Sequence, residues 1–282
     1  MNRLKSFFIS ALTTVSIIII VWAVFRLVQD GISVGWVGTA LTALPIALYL
    51  ANLYRFTTAR TSRNLTGMVA IVAIGVLLAA VGTVTDTPQG GLALFLAVGM
   101  MLGTLLYVFW YSRLERPLNQ TLVAGQKLPT VSFMDVTGTA VSPADLAGEK
   151  ALYLFYRGNW CPLCMAQIRE VAAQYRELAQ RGVRVVLISP QPQSHTARLA
   201  DRFEVPMLFW VDTDNRAARR LGIAHEHGVP AGFEVLGYKS ETVLPTVLLV
   251  GEDGRILYSS QTDNYRVRPE PAEFLRVLDA LA

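Results

Sequence analysis

The stretch YRGNWCPLCMAQIREV, residues 156–171, holds both cysteines of a chain of 282 residues. They stand as Cys161-Pro-Leu-Cys164, with four residues between them and an apolar run, ALYLFY, that reads as a buried strand. A helical pattern then opens on Pro162. Proline is favoured in the first turn of a helix, where its missing N–H would be unpaired anyway. The sulfur of Cys161 is therefore expected at a helix N-terminus. Unpaired amides and the positive end of the helix dipole favour an anion there, and CxxC thiols so placed fall from a pKa of about 8.5 to roughly 3.5–7.5. Cys164 follows one helical turn later on the same face, within reach of a mixed disulfide formed at Cys161. The spacing supplies a nucleophile and a resolver. Arg157 adds positive charge and Trp160 can cover the sulfur; the competing reading is that each is a strand-end residue packing on the domain.

Two plainer readings compete. A zinc half-site would need two more ligands, drawn from His195, His225, His227 or carboxylates, and the sequence offers no second CxxC. The other is a pair of small core residues. The His225-Glu-His227 tripeptide places its histidines on opposite sides of any strand and sits in a Gly/Pro-rich stretch, so a solvated loop is expected there.

Working outward, the segment after Arg116 alternates strands with helical patterns. A polar connector, residues 117–125, leads to LPTVSFMDVTGTAV, read as an edge hairpin turning at Thr137-Gly138. Then come ALYLFYR, a helix from Pro162 to about Gln180, VRVVLIS, a helix around Ser194 to Phe203, MLFWV, a helix from Asn215 to Leu221, and PTVLLV. RILYSS and a closing helix with Phe274, Leu275, Leu278 and Leu281 on one face end the chain. This order predicts an α/β sandwich with an antiparallel strand pair at its end. The 166 residues after Arg116 are enough for one core without disulfide or metal staples, which leaves the cysteines free for chemistry.

The chain is 52% hydrophobic and 16% charged, but its two parts differ. Residues 1–116 carry eight Lys/Arg against three Asp/Glu, and residues 117–282 carry seventeen against eighteen, so the basic excess lies in the first part. The near-neutral second part has no basic patch interleaved with aromatics, which excludes nucleic acid as a partner. In the first part, apolar runs span Phe7–Val28, Val34–Tyr54, Leu65–Val84 and Gly91–Tyr111, each close to the roughly 20 residues that cross a bilayer. The first is longer than a signal-peptide core and lacks a small-x-small site, so it reads as a retained helix. Four transmembrane helices are expected. Arg3, Lys5, Arg55, Arg60, Arg63, Arg113 and Arg116 fall on one side, and only Arg26, beside Asp30, on the other. By the positive-inside rule both termini and the second domain are cytoplasmic, with an extracytoplasmic domain as the alternative. No span contains Cys, His or a central carboxylate, so the spans read as an anchor in lipid, in the inner membrane of a bacterium.

From about Gln126 to Ala282 the residues resemble the thioredoxin-fold proteins of the alkyl hydroperoxide reductase and thiol-specific antioxidant, or peroxiredoxin-like, family. The segments that carry the resemblance come in order: LPTVSFMDVTGTAVSPADLAGEKALYLFYRGNWCPLC, VRVVLISPQPQS, MLFWVDTDNRAARRLGI and LPTVLLVGEDGRILY. The resemblance implies a cis-proline at Pro245, within Leu244-Pro245-Thr246, lying against the dithiol; the competing reading is a trans proline that starts a strand. The 84 positions from Cys161 to Pro245 leave room for the extra helix and strand of the peroxiredoxin-like branch. Two departures stand out. The family's P-x-x-x-T-x-x-C has Leu154 and Gly158 at the Pro and Thr positions, and Phe155 occupies the place of thioredoxin's buried Asp.

The expected organisation is a four-helix anchor (1–116), a linker (117–125) and a redox domain (126–282). The expected activity is thiol–disulfide exchange, with Cys161 and Cys164 catalytic and Arg157, Trp160, Pro162, Leu244 and Pro245 on the substrate side. A thiol-dependent peroxidase is the alternative within enzymes, and a docking scaffold the alternative outside them. Protein disulfides or hydroperoxides are the expected substrates, and a thioredoxin or glutathione system the reductant. No metal or other cofactor is expected.

Overall fold

The computed structural model describes residues 2–53, 55, 58–86 and 89–280. Tyr54, read as the end of the second span, and Leu281, read as part of the last helical face, lie outside them. The chain divides into two compact units. One comprises residues 7–55 and 61–113; the other comprises residues 1–6, 56–60 and 114–282.

The apolar unit is built on α1 (Asn2–Asp30), α2 (Val34–Asn52), α3 (Thr66–Thr85) and α4 (Gly90–Leu106), the last extended by a π-helical turn, Tyr107–Tyr111. All four are long and apolar enough to cross a membrane. Each matches a run read from sequence, because an unbroken apolar stretch satisfies its backbone only as a helix. Small residues set the packing. A Cβ at Gly38 would lie 2.5 Å from the Gly75 carbonyl oxygen, and one at Gly82 would lie 2.4 Å from the Gly35 Cα, so α2 and α3 meet backbone to backbone. Ser33 caps α2 by accepting from the Trp36 N–H at 3.2 Å, and Asp86 accepts from Ser33 Oγ and from the Gly35 N–H.

The second unit contains the α/β thioredoxin-like domain. Its elements are β1 (Phe133–Asp135), β2 (Ala140–Val141), β3 (Lys150–Phe155), α5 (Pro162–Ala173), α6 (Tyr175–Gln180), β4 (Val183–Ser189), α7 (Gln193–Ala200), β5 (Leu208–Val211), α8 (Arg216–Arg220), β6 (Ala224–His225), β7 (Thr242–Val243), β8 (Thr246–Val250), β9 (Ile256–Gln261) and α9 (Pro271–Asp279). Seven strands form one sheet in the order β2-β1-β5-β4-β3-β8-β9. β5, β4 and β3 run parallel, and β8 and β9 close one side antiparallel. β3 and β8 are buried over almost their whole length, as continuous apolar runs in a covered sheet should be. β2, the second strand of the hairpin, takes one edge, and Gly138 turns that hairpin at φ +90.

The structure corrects two sequence expectations. The helix expected from Pro162 to Gln180 is two helices, because Gln174 (φ −96, ψ 9) leaves the helical conformation between them. The expected solvated loop at His225 is instead strand β6, paired with β7 through His225 and Thr242. Burial, together with Arg157 and Lys5, lowers His225 to about 3, so it is neutral.

Candidate active site

β3 ends at Phe155, and Tyr156 to Trp160 carry the chain from the sheet to α5. Cys161 is the N-cap residue of that helix: its backbone is extended (φ −89, ψ 106), and its Sγ accepts from the Cys164 N–H at 3.3 Å. Pro162 takes the first helical position, as the sequence predicts. Both cysteines are free thiols, 2% and 0% exposed, while Asn159, Trp160 and Pro162 around them remain partly accessible.

The backbone at Gly158 leaves no room for a side chain such as the threonine the resemblance implies. It has φ +145, and a Cβ there would stand 2.6 Å from Trp160 Nε1. The indole fills the space that a side chain at 158 would need. Asn159 is held from the loop after β4: its N–H donates to Gln191 Oε1 at 2.8 Å, and Gln191 Nε2 donates to the Tyr156 hydroxyl at 3.0 Å and Thr196 Oγ1 at 3.1 Å. The Tyr238 hydroxyl donates to Asn159 Oδ1, and Phe233 packs on Trp160 with ring centroids 5.8 Å apart.

Two buried arginines flank the dithiol. Arg157 lies over the Trp160 ring at 4.9 Å and donates to the Gly228 carbonyl, while Thr242 Oγ1 donates to the Arg157 carbonyl at 2.7 Å. Arg268, 4% exposed, donates from Nε to the Tyr265 carbonyl at 2.9 Å and directs Nη2 to Cys164 Sγ at 3.8 Å. Sequence reading missed Arg268. The one signal available was RVRP, two arginines in a proline-bounded connector with no acid between them.

Burial pushes the Cys161 thiol well above the ordinary range, and its hydrogen bond to Cys164 pushes it further. Burial would raise Cys164 too, but the Cys161 hydrogen bond, Arg268, and the N–H and guanidinium of Arg157 together bring it down to about 6. Within the pair the downward shift falls on Cys164 and the upward shift on Cys161. Both directions run against the lowering of Cys161 expected from the helix terminus alone. The helix terminus does act on Cys161, but both sulfurs are buried and the Arg268 contact falls on Cys164.

Leu244 and Pro245 stand at the same end of the sheet as the dithiol. Thr246 pairs with Phe155, the last residue of β3, so Pro245 lies level with the start of the Cys161 loop. Leu244 donates its N–H to the Ile223 carbonyl at 2.7 Å, and both residues are buried. Among the described residues, no group of three or more His, Cys, Asp or Glu is gathered as a metal ion would require.

A CxxC at a helix N-terminus beside a central strand defines a class: thiol-dependent oxidoreductases on a thioredoxin-like fold. The sequence model of the redoxin family matches residues 123–278, and the chain belongs to that family. Relatives with both chemistries are found. The thiol-disulfide oxidoreductase ResA of Halalkalibacterium halodurans is 22% identical over 167 residues, covering 59% of this chain and 81% of ResA. Peroxiredoxin Bcp of Escherichia coli is 25% identical over 135 residues, covering 48% of this chain and 83% of Bcp. A crystal structure of the peroxidoxin BcpB from Mycobacterium tuberculosis superimposes with a TM-score of 0.47 at 18% identity, covering 57% of this chain and 99% of that one. The protein is a thiol-dependent oxidoreductase of the peroxiredoxin-like group.

Proposed function

We propose that the protein is a membrane-anchored thiol–disulfide oxidoreductase with Cys161 as nucleophile and Cys164 as resolver. The observation that carries this reading is the reduced, buried pair itself, with Cys161 capping α5 and Cys164 N–H directed at its sulfur. When a disulfide RS–SR′ approaches, Cys161 passes its proton to Cys164 and attacks as the thiolate. The Cys161–S–SR bond forms, and R′S⁻ leaves and takes that proton from Cys164. Cys164, again a thiolate, attacks the Cys161 sulfur and releases RS⁻. The products are the Cys161–Cys164 disulfide, R′SH and RS⁻, and a thiol reductant of the thioredoxin or glutathione type restores the dithiol.

Arg157, Trp160, Pro162, Leu244 and Pro245 form the substrate side in this reading. Residues 1–116 serve as the membrane anchor, 117–125 as the linker and 126–282 as the redox domain. The Lys/Arg distribution supports a cytoplasmic placement, where dithiols are kept reduced.

The second reading, a thiol peroxidase, has the peroxiredoxin relatives in its favour. There the peroxide O–O bond breaks as Cys161 becomes a sulfenic acid, and Cys164 condenses with it to release water. Gly158 supplies no hydroxyl to orient the peroxide, which favours disulfide exchange. Turnover of the full chain in detergent on insulin disulfide and on an alkyl hydroperoxide, with one thiol reductant, separates the two. Faster disulfide turnover is expected; turnover on hydroperoxide alone would replace this reading with the second.

A further inference from the structure

Thioredoxin-like dithiols need a way to ionise the second cysteine once the first is tied up in a mixed disulfide. A buried carboxylate is a common solution, and here Phe155 stands in its place. The groups around Cys164 come from three directions. From the N-cap comes Cys161, from the end of β3 come Tyr156 and Arg157, and from the connector before α9 comes Arg268. None of them is a carboxylate.

We propose that Arg268 activates the resolving cysteine: its guanidinium, 3.8 Å from Cys164 Sγ, stabilises that sulfur as a thiolate before the first exchange step and again when it attacks the mixed disulfide, so that no buried carboxylate is needed. The proposal rests on the dithiol reading above. Three observations support it. Arg268 is 4% exposed and its Nε is fixed by the Tyr265 carbonyl, so the Nη2 approach to sulfur is held in place. Among the described residues no Asp or Glu pairs with it, so its charge is not spent on a carboxylate. A buried guanidinium without a counter-charge is costly, and a thiolate is the anion within its reach. The charge on Cys164 then explains the proton path: the proton that Cys161 lends to Cys164 leaves with R′S⁻, and Cys164 returns to the thiolate beside Arg268. The downward displacement of the Cys164 pKa, to which Arg268 contributes, agrees with this placement.

The test titrates Cys164 by thiolate absorbance near 240 nm in the full chain, in detergent, with Cys161→Ser removing the other thiol. Arg268→Gln in that background should move the midpoint up by about 1 to 3 pH units, while Arg268→Lys keeps it low. In the two-cysteine chain, Arg268→Gln should leave formation of the Cys161 mixed disulfide unchanged and slow its resolution, so that the adduct accumulates. Equal midpoints with Arg and Gln would overturn the proposal. Should the Gln variant not fold, a Cys164 midpoint at or above about 8.5 with Arg268 intact would overturn it as well. Loss of the dithiol reading would show differently, as undiminished turnover after Cys161→Ser, whatever the Cys164 midpoint.

Discussion

Arg116 Nη1 donates to the Pro245 carbonyl at 2.9 Å, and its Nη2 donates to Thr246 Oγ1 at the same distance. Thr246 Oγ1 in turn donates to the Leu244 carbonyl at 2.9 Å, so one guanidinium fixes the turn that enters β8 beside the dithiol loop. Burial and the nearby Arg268 lower Arg116 to about 10, which leaves it charged at neutral pH.

Arg116→Ala should therefore loosen Leu244-Pro245-Thr246. Removing the donors leaves a buried carbonyl and hydroxyl short of a partner, a loss of about 1–3 kcal/mol. Denaturant unfolding of the full chain in detergent should report that loss. Kinetics with a protein disulfide should show KM rising more than kcat falls, because in the proposed reading the turn borders the substrate side rather than the sulfurs.

The reduced form should be most stable near pH 8.5. Cys164 sits at about 6 in the fold against about 8.5 unfolded, so its contribution is fully present above 8.5 and is lost as pH falls through 6. Cys161 is raised, so its contribution is lost as pH climbs above the unfolded value. His225, lowered to about 3, adds a further loss between about 6.5 and 3, where the unfolded histidine binds a proton and the folded one does not. Thermal unfolding of the reduced chain across pH 3–10 checks this shape. A melting temperature that stays flat from pH 5 to 8.5 would contradict it.

Gly158→Thr restores the family's residue type and should nonetheless fail to enhance peroxide turnover. At φ +145, with a Cβ 2.6 Å from the Trp160 indole, the new side chain must displace Trp160, at about 1–3 kcal/mol of strain. Lower stability with unimproved hydroperoxide turnover is expected. A gain in turnover would show that the loop tolerates the substitution.

Much of this architecture was legible in the sequence, for identifiable reasons. The four apolar runs, the strand order and the helix opening at Pro162 all depend on local signals: hydropathy, strand length and a proline at a helix start. The kink at Gln174 was not legible, since AAQYREL reads as unbroken helix. His225 was misjudged because its strand partner, Thr242, lies seventeen residues away. Arg268 escaped notice for the same kind of reason, since the fold brings it to Cys164 from 104 positions along the chain. The shifts of the two cysteines also depend on those long-range partners, which the helix terminus alone does not reveal.

The side of the membrane can be tested at Val235, which is 87% exposed, whereas both native sulfurs are buried. With Cys161 and Cys164 replaced by Ser, Val235→Cys should resist a membrane-impermeant maleimide in intact cells and react after permeabilisation. Labelling in intact cells would place the domain outside.

The most direct test of the central claim is a trap. The full chain carrying Cys164→Ser, reduced and exposed to a protein disulfide, should form a mixed disulfide at Cys161 that peptide mapping locates and that a thiol reductant releases. The Cys161→Ser chain should form none and turn over neither disulfide nor hydroperoxide. Absence of an adduct at Cys161, or activity that survives Cys161→Ser, would contradict the assignment of the dithiol as the redox centre.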